Sequence, residues 1–284
     1  GYAGLINNDF IDLESRSVGN IIQRGGTMLH TARSIEFMTE EGRYKAYRNL
    51  VEAGIEALVV IGGDGTFKGA RVFTHEYNYP VVGVPGTIDN DLYGTDMTIG
   101  YDTALNTIVD AIDKIRDTAG SHERLFFVEV MGRDAGFIAL RTAIACGAEE
   151  VLVPETVTDL DKLKTYLVEN VQKTKTSAVV IVAEGDDAGG AIEIADKMKK
   201  EIPDYDMRVT ILGHIQRGGS PSAFDRYLAS RLGVAAVEAL VDDQRSIMVG
   251  LINRKVAHVP FNQTIKHHKD IDRSLLNLLY VLNT

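Results

Sequence analysis

The 284-residue sequence predicts an α/β protein built from two doubly wound domains with mainly parallel sheets. Short apolar, β-branched runs recur along the chain, and each ends in a glycine or polar turn followed by a helical pattern. Strands that alternate with helices in this way form parallel sheets covered on both faces. The length exceeds one typical domain, and the 45% apolar composition, without a tryptophan, fits aliphatic cores.

Residues 1–20 do not open on a strand. They read as a turn, a polar loop and the start of a helix, so the first strand of a doubly wound domain is either atypical or missing from the chain. From Ala57, "ALVVIGGDGT" is a strand that runs into a glycine loop, and "FKGARVFTHE" is the helix behind it. "VVGV" is the next strand. "GYDTALNTIVDAIDKIRDTA" is a long amphipathic helix, with Ala104, Ile108, Ala111, Ile112 and Ile115 at helical spacing. "RLFFVEVMG", "EVLVPE", "SAVVIVAEG" and "RVTILGHIQRGG" repeat the theme of a strand followed by a turn. "SAFDRYLASRLGVAAVEALV" is another helix, and "SIMVGLIN" is the last strand. Ligands of such sheets lie beyond the carboxyl ends of strands, and most of the unusual polar residues are expected there.

Charge and cysteine usage narrow the function. The formal charge is −10, from 30 basic and 40 acidic residues, with no dense Lys/Arg run, so a nucleic-acid partner is not expected. The arginines sit singly beside glycines, in "QRGG", "MGRD" and "IQRGG", a placement suited to small phosphorylated ligands. No stretch approaches the roughly 18 consecutive apolar residues of a membrane span, and the opening lacks a secretory pattern. One cysteine, Cys146, excludes an internal disulfide. A cytoplasmic location without membrane association is the expectation.

Two loops carry chemistry. "IGGDGT" follows a strand and precedes a helix, so its N–H groups can cradle anionic oxygens. It is neither a Walker loop nor a dinucleotide fingerprint in register. A tight turn that merely needs glycine is the structural alternative. Asp64 argues against it, because an acid beside a phosphate serves mainly as a Mg²⁺ ligand. Lipid kinases and NAD kinases carry a similar loop. "PGTIDND" is more specific: if extended, it places Asp89 and Asp91 on one side at i, i+2, where they repel unless a cation or a proton separates them. One could approach a metal while the other takes a proton from an attacking hydroxyl.

These loops, followed in order by "VEVMGR" and "LGHIQRGG", resemble the bacterial-type ATP-dependent 6-phosphofructokinase family over essentially the whole chain. The resemblance implies two Rossmann-like domains of the phosphofructokinase fold. Residues 1–100 and 216–266 would bind ATP, residues 101–215 and 267–284 would bind fructose 6-phosphate, and the active site would lie in the cleft between them. It implies Asp89 as the base at the sugar 1-hydroxyl, Thr87 and Asp91 as neighbouring catalytic positions, Asp64 at Mg²⁺, and Arg133 offsetting charge at the transferring group. Such phosphoryl transfer needs positioning and charge neutralisation more than covalent help.

The sugar phosphate, a dianion that favours forked donors, would meet His214 and Arg217 from its own subunit and Arg124 and Arg208 from a neighbour. Glu184 would hold sugar hydroxyls, beside Met131 and Gly132. Tyr2, Arg33, Gly63, Gly65 and Thr66 would surround the nucleotide. Gly65 and Gly86 favour ATP, since pyrophosphate-dependent relatives tend to carry Asp and Lys there.

An ADP or phosphoenolpyruvate effector would bind Arg116, Glu149, Lys173 and Lys175 between subunits, with Ser15 replacing a usual arginine. His122, Glu123 and Arg124 match an allosteric switch segment. A homo-oligomer, a tetramer by resemblance, follows from the shared arginines. The family's opening strand and "GGD-x-P-G" loop have no counterpart in the chain, which keeps a noncatalytic sugar-phosphate binder among the alternatives, beside a pyrophosphate-dependent enzyme. A dehydrogenase lacks any supporting fingerprint.

Overall fold

Two four-stranded sheets organise the computed structural model, which describes residues 1–119, 124–171, 177–203 and 205–283. In chain order the elements begin with α1 (Tyr2–Ile6), α2 (Glu40–Glu52), β1 (Leu58–Gly62), α3 (Asp64–Tyr77) and β2 (Val81–Pro85). Next come α4 (Tyr101–Ala119), β3 (Arg124–Val130), α5 (Phe137–Cys146), β4 (Glu150–Leu152) and α6 (Leu160–Tyr166), which runs into a π turn at Leu167–Val171. Then follow β5 (Ser177–Ala183), α7 (Ala191–Glu201), β6 (Asp206–Ile211) and a 3₁₀ turn at Gly213–Arg217. The chain closes with α8 (Ala223–Val241), β7 (Ile247–Ile252), β8 (Lys255–Pro260), α9 (Phe261–Lys266) and α10 (Arg273–Leu282).

The first of two units comprises Gly1–Thr87, Leu92–Gly100 and Ser220–Lys269. Its sheet has the order β1-β2-β7-β8, parallel except for the β7–β8 hairpin. Alternation sends successive residues of β2 and β7 to opposite faces. Val81 and Met248 join Phe67 and Phe73 of α3 and Phe261, whereas Val82, Val84 and Val249 join Leu228 and Leu232 of α8. Thr39 caps α2 by accepting from Gly42 N–H at 3.0 Å, and Glu40 and Glu41 suit the positive end of that helix. Residues 7–35 have no regular element, so the expected turn and polar loop at the start hold only a five-residue helix.

β8 corrects the expectation that "SIMVGLIN" is the last strand. Ile252 pairs with Lys255, and the intervening Asn253 and Arg254 both adopt positive φ (49° and 64°), as a tight two-residue hairpin requires. β8 lies at the sheet edge and ends in Pro260, where the lack of an N–H is tolerated.

The second unit comprises Ile88–Asp91, Tyr101–Gly219 and Asp270–Thr284. Its sheet, β4-β5-β3-β6, is parallel throughout. Ala178–Ala183 of the central β5 are buried, as a strand covered on both faces must be. Leu125 and Phe127 of β3 and Val180 and Val182 of β5 pack on Ile194 and Met198 of α7. The α4 positions Ala104, Ile108 and Ile112 are buried, as their spacing predicts.

Candidate active site

In the first unit the register Gly62↔Pro85 brings the ends of β1 and β2 side by side, and Gly86 donates to Gly62 O at 3.0 Å. Gly63 precedes α3 as its N-cap, so Asp64, Gly65 and Thr66 form the first helical turn. Thr66 and Phe67 N–H both donate to Gly63 O, at 3.0 and 3.2 Å, so the donors that this helix start directs along the positive end of the dipole are those of Asp64 and Gly65. A side chain on Gly62 would run into Thr66, and one on Gly63 would touch Thr87 at 3.5 Å, so "GGDGT" and "PGT" lie against each other.

The two glycines of the donor argument differ. Gly65 faces open space, whereas a Cβ on Gly86 would lie 2.9 Å from Ile61 Cγ2. Gly86 therefore has a packing reason independent of any nucleotide, and only Gly65 bears on the room left there. Asp64 Oδ2 pairs with Lys68 Nζ at 2.5 Å. Tyr2 stacks on Phe37 (centroids 3.9 Å) and donates to Thr66 O at 2.6 Å, which ties α1 to the glycine loop; burial pushes its phenol above the ordinary pKa. Arg33 and Ser15 are exposed within residues 7–35.

In the second unit Asp89 is only 5% exposed and lies 3.8 Å from Arg133 Nε. Asn90 between the aspartates has φ 54°, so the stretch is not extended and the i, i+2 geometry does not hold. Asp89 is buried while Asp91 is only partly so. Asparagine's tolerance of left-handed backbone is the physical reason.

The loop after β3 carries Met131, Gly132 and Arg133. Gly132 has φ 144°, and a Cβ there would lie 2.5 Å from Ala135 O; Arg133 itself has φ 54°. Side chains from three other segments hold this unusual backbone. Met131 N–H donates to Gln216 Oε1 at 3.0 Å. Gly132 and Arg133 N–H donate to Glu184 Oε1 at 3.3 and 2.8 Å. Gly136 N–H donates to Glu155 Oε1 at 2.8 Å. His214 and Arg217 are exposed on the adjoining 3₁₀ turn, which Gln216 also braces by donating to Gly213 O at 3.0 Å. Sequence reading missed Gln216 and Glu155 as acceptors, although both lie inside the quoted motifs "GHIQRGG" and "EVLVPE".

Arg124 and Arg208 are not at carboxyl ends of strands. Arg124 opens β3 and pairs with Asp206 at 3.2 Å, while Arg208 pairs with the same carboxylate at 3.1 Å. Arg124 is the first and Val130 the last of the seven residues of β3, six rises or about 20 Å apart. One chain therefore does not bring this pair to the Glu184 and His214 end. Partial desolvation raises the Asp206 pKa, but the hydrogen bonds and charges of Arg208 and Arg124 outweigh it and hold the group below its ordinary value.

Glu149 is 1% exposed and accepts from Val179 N–H; Arg116 lies 4.0 Å from it and donates to Gly147 O at 2.7 Å. Lys173, Lys175, His122 and Glu123 lie outside the described residues.

The family model described as phosphofructokinase matches residues 1–240. The chain belongs to the phosphofructokinase family. It is 57% identical to ATP-dependent 6-phosphofructokinase 2 of Bacteroides thetaiotaomicron, covering 100% of this chain and 87% of that protein. It is also 57% identical to ATP-dependent 6-phosphofructokinase 1 of Thermus thermophilus, covering 99% and 87%. Among solved structures, phosphofructokinase of Pichia pastoris in the T-state superposes with TM-score 0.88 at 35% identity; the chain is covered in full and spans 33% of that longer one. A pyrophosphate-dependent phosphofructokinase of Marinobacter aquaeolei, with TM-score 0.81 and 20% identity over 98% of this chain and 81% of that one, shares the phosphofructokinase fold.

Proposed function

We propose that this chain is an ATP-dependent 6-phosphofructokinase, which transfers the γ-phosphoryl group of ATP to the 1-hydroxyl of fructose 6-phosphate and releases fructose 1,6-bisphosphate and ADP. The observation that carries the reading is the 57% identity to enzymes named for that reaction over the full length of this chain. The buried Asp89 beside Arg133 supports it, because a carboxylate with a compensating cation can accept the sugar's proton while charge spreads over the phosphoryl group. Thr87 and Asp91 flank that position. The first unit would carry the nucleotide on the glycine loop, with Tyr2, Arg33, Gly63, Gly65 and Thr66. The second would carry the sugar phosphate on Met131, Gly132, Glu184, His214 and Arg217.

Asp64 suits Mg²⁺. Among the described residues no group of three or more His, Cys, Asp or Glu is gathered as a metal cage. Mg²⁺ in kinases is commonly held by one or two carboxylates and the substrate's phosphates, and Asp64 at the head of α3 offers one carboxylate. The ion would neutralise phosphate charge there.

Arg124 and Arg208, held by Asp206 at the other end of the sheet, would complete the site of a neighbouring copy, which makes the protein a homo-oligomer, by family a tetramer. Arg116, Glu149, Lys173 and Lys175 would take an ADP or phosphoenolpyruvate effector. Among the described residues no helix is long and apolar enough to cross a membrane, and a cytoplasmic location suits a glycolytic kinase. The test is the initial rate of fructose 1,6-bisphosphate formation with Mg²⁺ and fructose 6-phosphate, offering ATP in one reaction and pyrophosphate in another. Product with ATP alone is expected, and product with pyrophosphate alone would overturn the donor assignment.

A further inference from the structure

Gln216 is the one residue of "GHIQRGG" whose side chain points into the protein, at 1% exposure, while His214 and Arg217 on either side are exposed. A buried carboxamide must have its donor and acceptor satisfied. Here one end reaches a distant segment and the other its own turn: Oε1 accepts from Met131 N–H, 85 residues away, at 3.0 Å, and Nε2 donates to Gly213 O, three residues away, at 3.0 Å. The bland account is a satisfied core glutamine. Two observations go beyond it. The segment it holds at Met131 runs directly into Gly132 (φ 144°) and Arg133 (φ 54°), conformations that persist only when the surroundings impose them. The segment it holds at Gly213 is the turn that presents His214 and Arg217.

We propose that Gln216 is a positioning residue that fixes Arg133 relative to the His214–Arg217 turn, so that seating the sugar phosphate and placing the arginine beside Asp89 are coupled through one buried amide. Glu184 accepts from Gly132 and Arg133 N–H and so holds the loop alone, whereas Gln216 joins the loop to the Gly213–Arg217 turn. The inference rests on the function proposed above, which makes that turn the sugar-phosphate side.

The decisive variant is Gln216→Met, which keeps length and approximate volume while removing both hydrogen bonds. Fructose 6-phosphate binding is read by calorimetry, steady-state constants for both substrates by assay, and folding by thermal melt. A misplaced group costs up to about 100-fold, so the expected result is a roughly 10–100-fold weaker sugar-phosphate affinity and lower kcat, with the KM for ATP unchanged. Gln216→Glu keeps the acceptor for Met131 N–H but sets a carboxylate against Gly213 O; it should recover kcat more than sugar-phosphate affinity. Wild-type constants in a folded Gln216→Met protein would overturn the proposal. So would parallel losses toward both substrates that track a lowered Tm. If the Met variant does not fold, wild-type affinity in Gln216→Glu overturns it instead. A wild-type chain that binds no fructose 6-phosphate would reject the proposed function itself, an outcome separate from equal binding by wild type and variant.

Discussion

The glycine loop after β1 and the loop after β3 both close a parallel strand, yet they use their backbone N–H groups in opposite ways. At Gly63–Gly65 the chain opens a helix, Thr66 N–H is the first to turn back onto Gly63 O, and Gly65 fronts empty space, so the backbone of Asp64 and Gly65 faces the position an anion would take. At Met131–Gly136 the N–H groups of Met131, Gly132, Arg133 and Gly136 are consumed by Gln216, Glu184 and Glu155. That loop is left with the exposed Arg133 side chain rather than a backbone cradle. One loop starts a helix with its backbone turned outward, and the other holds the backbone of Arg133 by satisfying its donors. Substitutions in the first should act on the ligand alone, while those in the second should spread through shared partners and fail to add.

The largest effect is expected where the held arginine meets its partner. Asp89→Ser should lower turnover by about 10²–10⁴-fold, the range for a positioned base, with little change in Tm. Unchanged turnover in steady-state assays would remove Asp89 from the proton transfer. Paired glycine variants break the comparison more directly. Gly132→Ala puts a Cβ 2.5 Å from Ala135 O at φ 144°, and strain of this kind costs about 1–3 kcal/mol; its Tm and turnover should both fall. Gly65→Ala meets nothing within 4 Å, so its Tm should hold while the KM for ATP rises. Equal Tm losses in the two variants would show that the loops do not differ as described.

How much of this was legible beforehand depends on the range of the interaction. The apolar runs of β2, β3, β5 and β7 announce themselves because burial on both faces demands continuous Val, Ile and Leu. β8 does not, since "KVAHVP" owes its place to the Asn253–Arg254 turn and to pairing with β7. Asp89 and Arg133 were marked by their motifs, but the bend at Asn90 was not, although an asparagine between two aspartates is itself a cue for left-handed backbone. The acceptors Gln216, Glu184 and Glu155 lie 85, 52 and 19 residues from the N–H groups they hold, and no periodicity records such a contact. The location of Arg124 was readable in principle, because it opens "RLFFVEV" rather than closing it.

Among the clamps, Glu155 tests whether the second loop really depends on its acceptors. Glu155→Ala leaves Gly136 N–H without its partner, at about 1–3 kcal/mol for an unsatisfied buried group, whereas Glu155→Gln keeps an acceptor oxygen. Denaturant unfolding should place the Ala variant below wild type and the Gln variant close to it. Two equally destabilised variants would mean that the charge, not the hydrogen bond, matters.

The smallest effect belongs to the amino end of the same sheet, where Asp206 joins Arg124 to Arg208. Its folded pKa is depressed, so the stability it contributes is present above the unfolded pKa of about 3.9 and is lost as pH falls through the lower folded value. Asp206→Asn should therefore lower the Tm slightly at neutral pH, a small effect because the group is exposed, and its difference from wild type should vanish as pH falls through the folded value. Carboxyl NMR of the folded protein gives the midpoint directly. A midpoint at the ordinary aspartate value would mean that the two guanidinium groups are not held together. Arg124 and Arg208 would then reach any neighbouring copy as independent, mobile cations rather than as a prearranged pair.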